Sequence, residues 1–433
     1  MSGFSINTID EVTETLIDYR GKTPPKSTSG VKLITAKVIK GGFIQGGNHE
    51  YIAEDTYDSW MRRGLPKQWD ILITTEAPLG QLAQLRTTEK VALAQRVILL
   101  RGNPAIIDQQ YYFQALKSPF VQGQLMARAT GTTVLGIKQS ELRQVEVPCY
   151  PLHTQRKIAA ILSAYDDLIE NNTRRIAILE EMAQLIYREW FVHFRFPGHE
   201  RSETVESELG LIPAGWEVKQ ISDVADVYRG RSYRSKDLVE EGSLPFLNLK
   251  CIARDGGFRS EGLKRYAGRY KETQKAKPGD IIVAVTDMTQ QRRIVARAGR
   301  VPDIGEKAFV FSMDLVKIVP KENIPSDYLY GMLRFSSFPD EVKQYANGAN
   351  VLHLRPARIQ EFEFPLPTED LSNRYAFLVS AVYRESDVLQ KKNEALRQAR
   401  DLLLPRLISG EVDVSDLDVD VGGLSHESWC TAH

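Results

Sequence analysis

Residues Thr154 to Phe196 read TQRKIAAILSAYDDLIENNTRRIAILEEMAQLIYREWFVHFRF and contain neither proline nor glycine. Counting in sevens from Ile158 gives Ile158, Tyr165, Asn172, Leu179 and Ile186. A second row, three residues on, gives Ile161, Leu168, Arg175 and Met182, with Ile176 beside the arginine. A seam repeated every seven residues marks a helix that packs lengthwise on another helix. At ~1.5 Å per residue such a helix reaches about 60 Å, longer than a compact domain needs. Pro197-Gly198 ends it. The reading therefore demands a partner helix elsewhere in the chain.

Internal repetition supplies one. Tyr19-Arg20-Gly21-Lys22 returns as Tyr228-Arg229-Gly230-Arg231, Gly42-Phe43 as Gly257-Phe258, and Asp70-Ile71 as Asp280-Ile281. From Gly131 onward a single shift of 217 positions aligns Gly131, Val134, Leu135, Glu146 and Pro148 with Gly348, Val351, Leu352, Glu363 and Pro365. The same shift carries the heptad to Tyr375, Val382, Leu389, Leu396 and Leu403. Two related helices separated by a globular segment pair most simply in antiparallel fashion, each holding its own domain. Asn172, polar at a seam position, favours one register at some cost in stability.

Around the helices, short apolar runs alternate with turn signals. Ile71–Ile73, Val91–Leu93, Val97–Leu100, Ile281–Val285, Phe309–Phe311 and Leu315–Val319 read as buried strands, Arg101–Pro104 as a turn, and Gln109–Lys117 as a helix. The expected fold class is α+β: two similar mixed domains separated by a long antiparallel two-helix coiled coil, with an internal pseudo-two-fold repeat. The expected boundaries are 1–152 for the first domain, 153–197 for the central helix and 198–212 for a linker. A second domain over 213–367, a closing helix over 368–410 and an acidic, disordered tail over 411–433 complete the plan.

Composition narrows the function. The 433 residues carry 56 basic and 56 acidic side chains, so the chain is not a general coat for nucleic acid. Charge is nevertheless uneven: Arg229 to Arg300 holds 17 Lys/Arg against 8 Asp/Glu, whereas Glu411, Asp413, Asp416, Asp418 and Asp420 crowd the tail. Three widely spaced cysteines, Cys149, Cys251 and Cys430, suit neither a disulfide framework nor a zinc site, and no apolar run is long enough to span a bilayer. A cytoplasmic protein is expected. There is no phosphate-binding loop, no N/D-P-P-Y/F tetrapeptide of the amino-methyltransferases (Asn103-Pro104-Ala105-Ile106 is not one), and no nucleophile–base constellation. Neither a catalytic residue nor a metal ligand is assigned.

Thr154–Ile158, Asp167–Asn172 and Arg188-Glu189-Trp190-Phe191 together resemble the central conserved region of type I restriction-modification specificity subunits. Ile212–Glu217 is similar to that family's opening of its second recognition domain, and Leu402–Glu411 to its closing segment. The resemblance implies a non-catalytic DNA-binding subunit. Its two target-recognition domains would each read one half of a bipartite, asymmetric double-stranded sequence, with the helices fixing the unread gap and docking two methyltransferase subunits. Restriction/translocase subunits would join that core. S-adenosylmethionine, ATP and magnesium would then act in partner subunits, and this chain would hold no cofactor. The second helix departs from the pattern, with Glu385–Leu389 and Pro405–Ile408 where copies of Leu168–Asn172 and Arg188–Phe191 would stand.

Base discrimination uses Arg or Lys toward guanine, Asn or Gln toward adenine, and small hydroxyls beside them. In the loop-like stretches of the first domain these are Arg20, Lys22, Gln81, Arg86, Thr132 and Thr133. Their counterparts in the second are Arg229, Arg231, Arg234, Gln290, Arg292, Arg293 and Asn350. Two rival readings stand beside this one: a coiled-coil scaffold that never touches DNA, and a chain with its own nuclease or methyltransferase site.

Overall fold

The computed structural model describes residues 3–21, 23–46, 49–240 and 244–421. Two compact units emerge, Met1–Ile169 with Leu396–His433 and Glu170–Ala395. The first long helix, Leu152–Tyr187, continues as a π-helical turn through Arg188–Val192, and the second covers Glu369–Ile408.

Each unit holds the same framework. In the first, a four-stranded antiparallel sheet runs Thr13–Asp18, Val97–Gly102, Ile71–Thr74, Leu82–Gln84. In the second the order is Ala225–Arg229, Leu315–Pro320, Ile281–Ala284, Ala298–Arg300. A parallel pair accompanies each sheet, Val31–Ile34 with Val91–Leu93 and Leu244–Leu247 with Phe309–Phe311. Each domain is closed by pairing its first strand with the strand that leads into its long helix: Ser5–Thr8 with Glu146–Cys149, and Glu217–Gln220 with Glu363–Leu366. Gln109–Lys117 is a helix as expected, capped by Asp108, whose carboxylate accepts from the N–H groups of Gln110 and Tyr111. Its repeat counterpart is Ser326–Phe335.

The apolar runs are continuous because both faces of the central strands are covered. Successive side chains of a strand point to opposite faces. Ile71 and Ile73 share one core with Tyr111, Leu116 and the helical Ile158 and Leu162, whereas Leu72 and Leu99 share another with Leu33, Val91 and Leu93. In the second unit Ile281 and Val283 share a core with Tyr187, Phe191 and Tyr375, and Ile282 and Ala284 share another with Phe309 and Phe311.

The long helices pair antiparallel within each unit. In the first, Arg400 Nη1 lies 2.6 Å from Asp166 Oδ1, and Ile158 and Leu162 share a core with Leu404, Leu407 and Ile408. In the second, Asn172 Nδ2 donates to Asn393 Oδ1 at 2.9 Å, Arg175 pairs with Glu385 at 2.9 Å, and the Tyr187 and Tyr375 rings lie 5.8 Å apart. Of the expected seam, Ile158, Tyr375 and Leu389 are buried, while Tyr165, Asn172, Leu179, Ile186, Val382, Leu396 and Leu403 are half-buried.

Four expectations need correction. The second row of the first helix lies four residues on, not three: Leu162, Ile169, Ile176 and Ala183 face inward, while Leu168 and Met182 stay 52% and 46% exposed. The expected turn Arg101–Pro104 begins later, because the strand runs through Gly102. The expected linker 198–212 is ordered as a 3-10 turn and a hairpin, Thr204–Ser207 with Gly210–Pro213. The tail is not loose from residue 411, since Val412 and Val414 join the first unit's core and Lys157 Nζ donates to the Ser415 carbonyl at 2.7 Å; residues 422–433, Cys430 among them, lie outside the described residues.

Candidate nucleic-acid interface

Three connections meet at one end of the first domain's sheet. The chain leaves Thr13–Asp18 at Tyr19-Arg20-Gly21, leaves Ile71–Thr74 at Thr75, and enters Val97–Gly102 from Gln95-Arg96. Backbone hydrogen bonds hold them together: the Thr75 N–H donates to the Arg96 carbonyl, and the Ile137 N–H to the Thr75 carbonyl, both at 3.0 Å. The loop 130–136 closes on itself, Thr130 and Gly136 exchanging bonds of 2.8 and 2.9 Å. A cleft of about 290 Å³ lies between these segments, lined by Arg20, Gln95, Arg96, Val134 and Lys138 among others.

The guanidinium of Arg20 is aimed into this end by its partners. Its Nη2 donates to the Ile137 carbonyl at 2.7 Å, and its Nε lies 3.9 Å from the Asp18 carboxylate. Arg96, half-exposed, sits 2.7 Å from Glu76. The Arg96–Glu76 pair is exposed and of a kind that contributes little to folding, so Arg96 can exchange its partner for phosphate or a base edge, whereas Arg20 is held beside the buried Asp18. Thr132 and Thr133 are exposed on the closed loop.

The second domain repeats the joints. Val285 N–H donates to the Asp314 carbonyl and Leu354 N–H to the Val285 carbonyl, each at 2.8 Å, and Asn347 and His353 exchange bonds of 3.1 and 2.9 Å. What differs is the neighbouring hairpin. Eight residues, 74–81, join the paired positions Ile73 and Leu82 in the first domain, whereas fourteen, 284–297, join Val283 and Ala298 in the second.

Buried Asp287 organises this longer loop. Its carboxylate accepts from the backbone of Thr289 (2.8 Å), Ile294 (2.7 Å) and Val295 (3.3 Å) and from the Thr289 hydroxyl (2.8 Å). Burial alone would raise its pKa; the hydrogen bonds from Ile294, Thr289 and Val295 outweigh it and hold the carboxyl below its usual range. Gln290 Nε2 donates to the carbonyls of Ala349 (2.8 Å) and Gly348 (3.3 Å), fastening the long loop to the closed one. Arg292 adopts φ +51° within it.

The structure thus brings Arg20, Thr132 and Thr133 to one cluster and Gln290, Arg292, Arg293 and Asn350 to its counterpart. Arg229 ends the strand Ala225–Arg229, and Arg231 lies beside Phe311–Met313 through backbone bonds of 2.7 and 2.9 Å. Gln81 closes the short hairpin through Thr74. Arg234 is exposed, its N–H held by Asp237 at 2.8 Å. Arg86 is elsewhere: it stands at the opposite end of the sheet, over the Phe43 and Trp69 rings and 3.0 Å from Asp167. There it ties the first domain to its helix, away from the cluster that holds Arg20. Lys22 lies outside the described residues. Gln95, Arg96 and Lys138 were missed in the sequence, although Arg96 directly precedes an apolar run and so had to stand at a strand mouth.

Residues 1–181 and 213–398 each match the model of the type I restriction modification DNA specificity domain. The chain belongs to that family. It is 26% identical over 355 residues to the type I restriction enzyme MjaIX specificity subunit of Methanocaldococcus jannaschii, covering 80% of this chain and 78% of that one. To the MjaVIII specificity subunit of the same organism it is 24% identical, covering 76% of each. Its fold is similar to that of the type I S subunit of M. genitalium, with a TM-score of 0.54 at 16% identity over 94% of this chain and 96% of that one.

In this specificity subunit the segments that carry the resemblance are structural. Gln155, fully buried, donates to the carbonyls of Tyr150 (2.7 Å) and Ile106 (3.0 Å) and accepts from the Asp108 N–H (2.7 Å), locking the helix start to the first domain. Phe191 lies among Tyr328, Tyr375 and Trp216, with ring centroids 5.1 to 5.9 Å away, and Trp216 also packs on Phe194 and Phe196. Burying one such ring contributes roughly 1.5–3 kcal/mol. The 217-residue shift carries Trp190 and Phe191 onto Leu407 and Ile408, which fill the equivalent place in the first domain's core without aromatic rings.

Proposed function

We propose that this chain reads a bipartite, asymmetric double-stranded DNA sequence, one half per domain, and delivers methyltransferase subunits to it in the cytoplasm. The observation that carries the reading is the twice-built loop cluster, basic and hydroxyl-bearing, at the same end of both sheets in a member of a DNA specificity family. Arg20, Arg96, Thr132 and Thr133 are the readers and phosphate holders of the first domain, and Arg231, Gln290, Arg292, Arg293 and Asn350 those of the second. The chain itself is non-catalytic. S-adenosylmethionine serves the methyltransferase subunits, and ATP and magnesium serve restriction/translocase subunits that join them.

The long helices support the docking role. In the second unit Ile178, Met182 and Leu185 remain exposed on the first helix, and Phe377 and Val388 on the second. An intramolecular helix pair leaves such apolar side chains in water only at a cost that a partner subunit removes.

The full chain co-purified with its methyltransferase should protect a single two-part sequence, with affinity falling steeply as salt rises. Binding that ignores sequence would overturn the reading, and a chain that assembles its partners yet never binds DNA would mark a scaffold.

A further inference from the structure

The closed loops 130–136 and 347–353 are one piece of backbone built twice. Gly131 adopts φ +120° and Gly348 φ +154°; a Cβ would stand 2.2 Å from the Val134 carbonyl oxygen in one and 1.9 Å from that of Val351 in the other. Only glycine fits such a close approach. Both loops then present the same dipeptide, Val134-Leu135 and Val351-Leu352.

The two dipeptides nonetheless meet opposite environments. Leu352 is 2% exposed and Leu135 is 48% exposed, with Val134 at 52%. The neighbouring hairpin is the cause. In the second domain the longer loop pairs Thr286-Asp287 with Leu352-His353 and seals the carbonyls of Gly348 and Ala349 with Gln290. In the first domain the shorter hairpin offers a single bridge, Glu76 to Gly136. In the second domain Leu352 is covered by its own chain and Val351 is half-buried, whereas both members of the first domain's pair are bare.

The surroundings of the bare pair identify its occupant. Val134 lines the cleft that also holds three cations, Arg20, Arg96 and Lys138, against one carboxylate, Glu76, and Thr132 and Thr133 stand exposed beside it. Apolar atoms ringed by cations fit a ligand whose apolar spot is ringed by anions. A DNA major groove is such a surface, with phosphates flanking the C5-methyl group by which thymine is told from cytosine. Neighbouring hydroxyls suit base edges, which a blunt wedge between stacked bases would not use.

We infer that Val134 and Leu135 read a thymine methyl group in the first half of the target, resting on the proposal that the first domain binds that half. The apolar reader belongs to the first domain alone, because the second domain buries Leu352, its copy of Leu135, and leaves Val351 only half-exposed.

The test uses the full chain with its methyltransferase subunits and duplexes of its own target in which each thymine is replaced in turn by uracil. Uracil keeps every hydrogen-bonding edge and removes one methyl group. Wild-type protein should lose affinity about fourfold at one first-half position, as expected for one methyl returned to water. Val134→Ser with Leu135→Asn should be indifferent to that uracil while still rejecting base-pair changes in the second half, which also shows that the variant is folded. Leu135→Ala, a milder change, should reduce the same penalty. A first half without an A·T pair, a uracil scan without a penalty there, or a penalty that survives in the double variant would each overturn the inference. A wild-type complex with no sequence preference would instead overturn the proposal on which it rests.

Discussion

At the scale of single residues, two buried carboxylates hold the parts that matter. Asp287 ties Thr289, Ile294 and Val295 into one loop, and Asp287→Asn weakens every one of those bonds by removing the charge. The expected result is relaxed discrimination in the second half-site with the first half unaffected, read by competition between duplexes altered in one half at a time. Because the Asp287 carboxyl is held below its ordinary value, its contribution is complete above the unfolded pKa and is lost as pH falls through the depressed folded one. Second-half preference should therefore stay flat from about pH 8 to about pH 5 in the native protein. Asp166 anchors the first unit. It accepts from Gln114 (2.9 Å), Lys117 (2.8 Å) and Arg400 (2.6 Å), and although burial opposes its charge, these partners hold it ionised and its pKa low. Asp166→Asn strands the part-buried Lys117 and leaves Arg400 with Asp401 as its carboxylate partner, and should cost about 3 kcal/mol in urea unfolding at neutral pH. The native protein should lose the same stabilisation only in acid, as pH falls through the depressed folded value.

At the scale of elements, the long helices show what periodicity reveals and what it hides. A seven-residue repeat beginning at Ile158, carried to the second helix by the 217-residue shift, reveals both helices and their partnership, because the repeat is imposed by the pairing itself. It did not distinguish the inward row, Leu162, Ile169, Ile176 and Ala183, from the outward one holding Leu168 and Met182. Both rows are apolar, and only the packed partner decides which is core. Likewise the 210-residue offset at Asp70 and the 217-residue offset at Gly131 betrayed added residues between them. They gave no sign that most lie in the hairpin beside the closed loop, which is what buries Leu352. Polar seam members can be tested directly. Asn172 and Asn393 share a hydrogen bond of 2.9 Å, and Asn393 Nδ2 also lies 3.3 Å from the Thr173 hydroxyl. Asn172→Leu alone should destabilise by about 1–3 kcal/mol, the penalty for removing the half-buried partner of the buried Asn393 side chain. Asn172→Leu with Asn393→Leu should recover that loss or exceed it, as apolar seams do. A double-mutant cycle in urea gives the coupling, and equal effects of the single and double changes would remove Asn172 from the pairing.

At the scale of the whole molecule, duplication followed by divergence explains why two domains with one framework can read two different half-sites. The joints are common to both: the same strand order, the same backbone bonds at the sheet mouth, the same glycine-closed loop. The proposed reading surfaces are not, since one domain exposes Val134 and Leu135 beside Arg20 and Arg96 and the other buries Leu352 and extends Gln290, Arg292 and Arg293 instead. Each domain also carries its own core and its own helix contacts, so its surface can change without altering the packing of the other. Exchange of residues 1–152 for those of a relative should therefore change one half of the recognised sequence and leave the other half intact. The exchange must keep two groups paired with what they meet on the helices: Lys117, which grips Asp166, and Arg86, which grips Asp167. A relative lacking those cations should yield an unstable hybrid unless the helix acids are changed with them. Sequencing of methylated adenines in cells that express the hybrid with its methyltransferase reads both halves at once. Altered bases in both halves would show that the domains do not read independently, whereas one altered half would assign residues 1–152 to it.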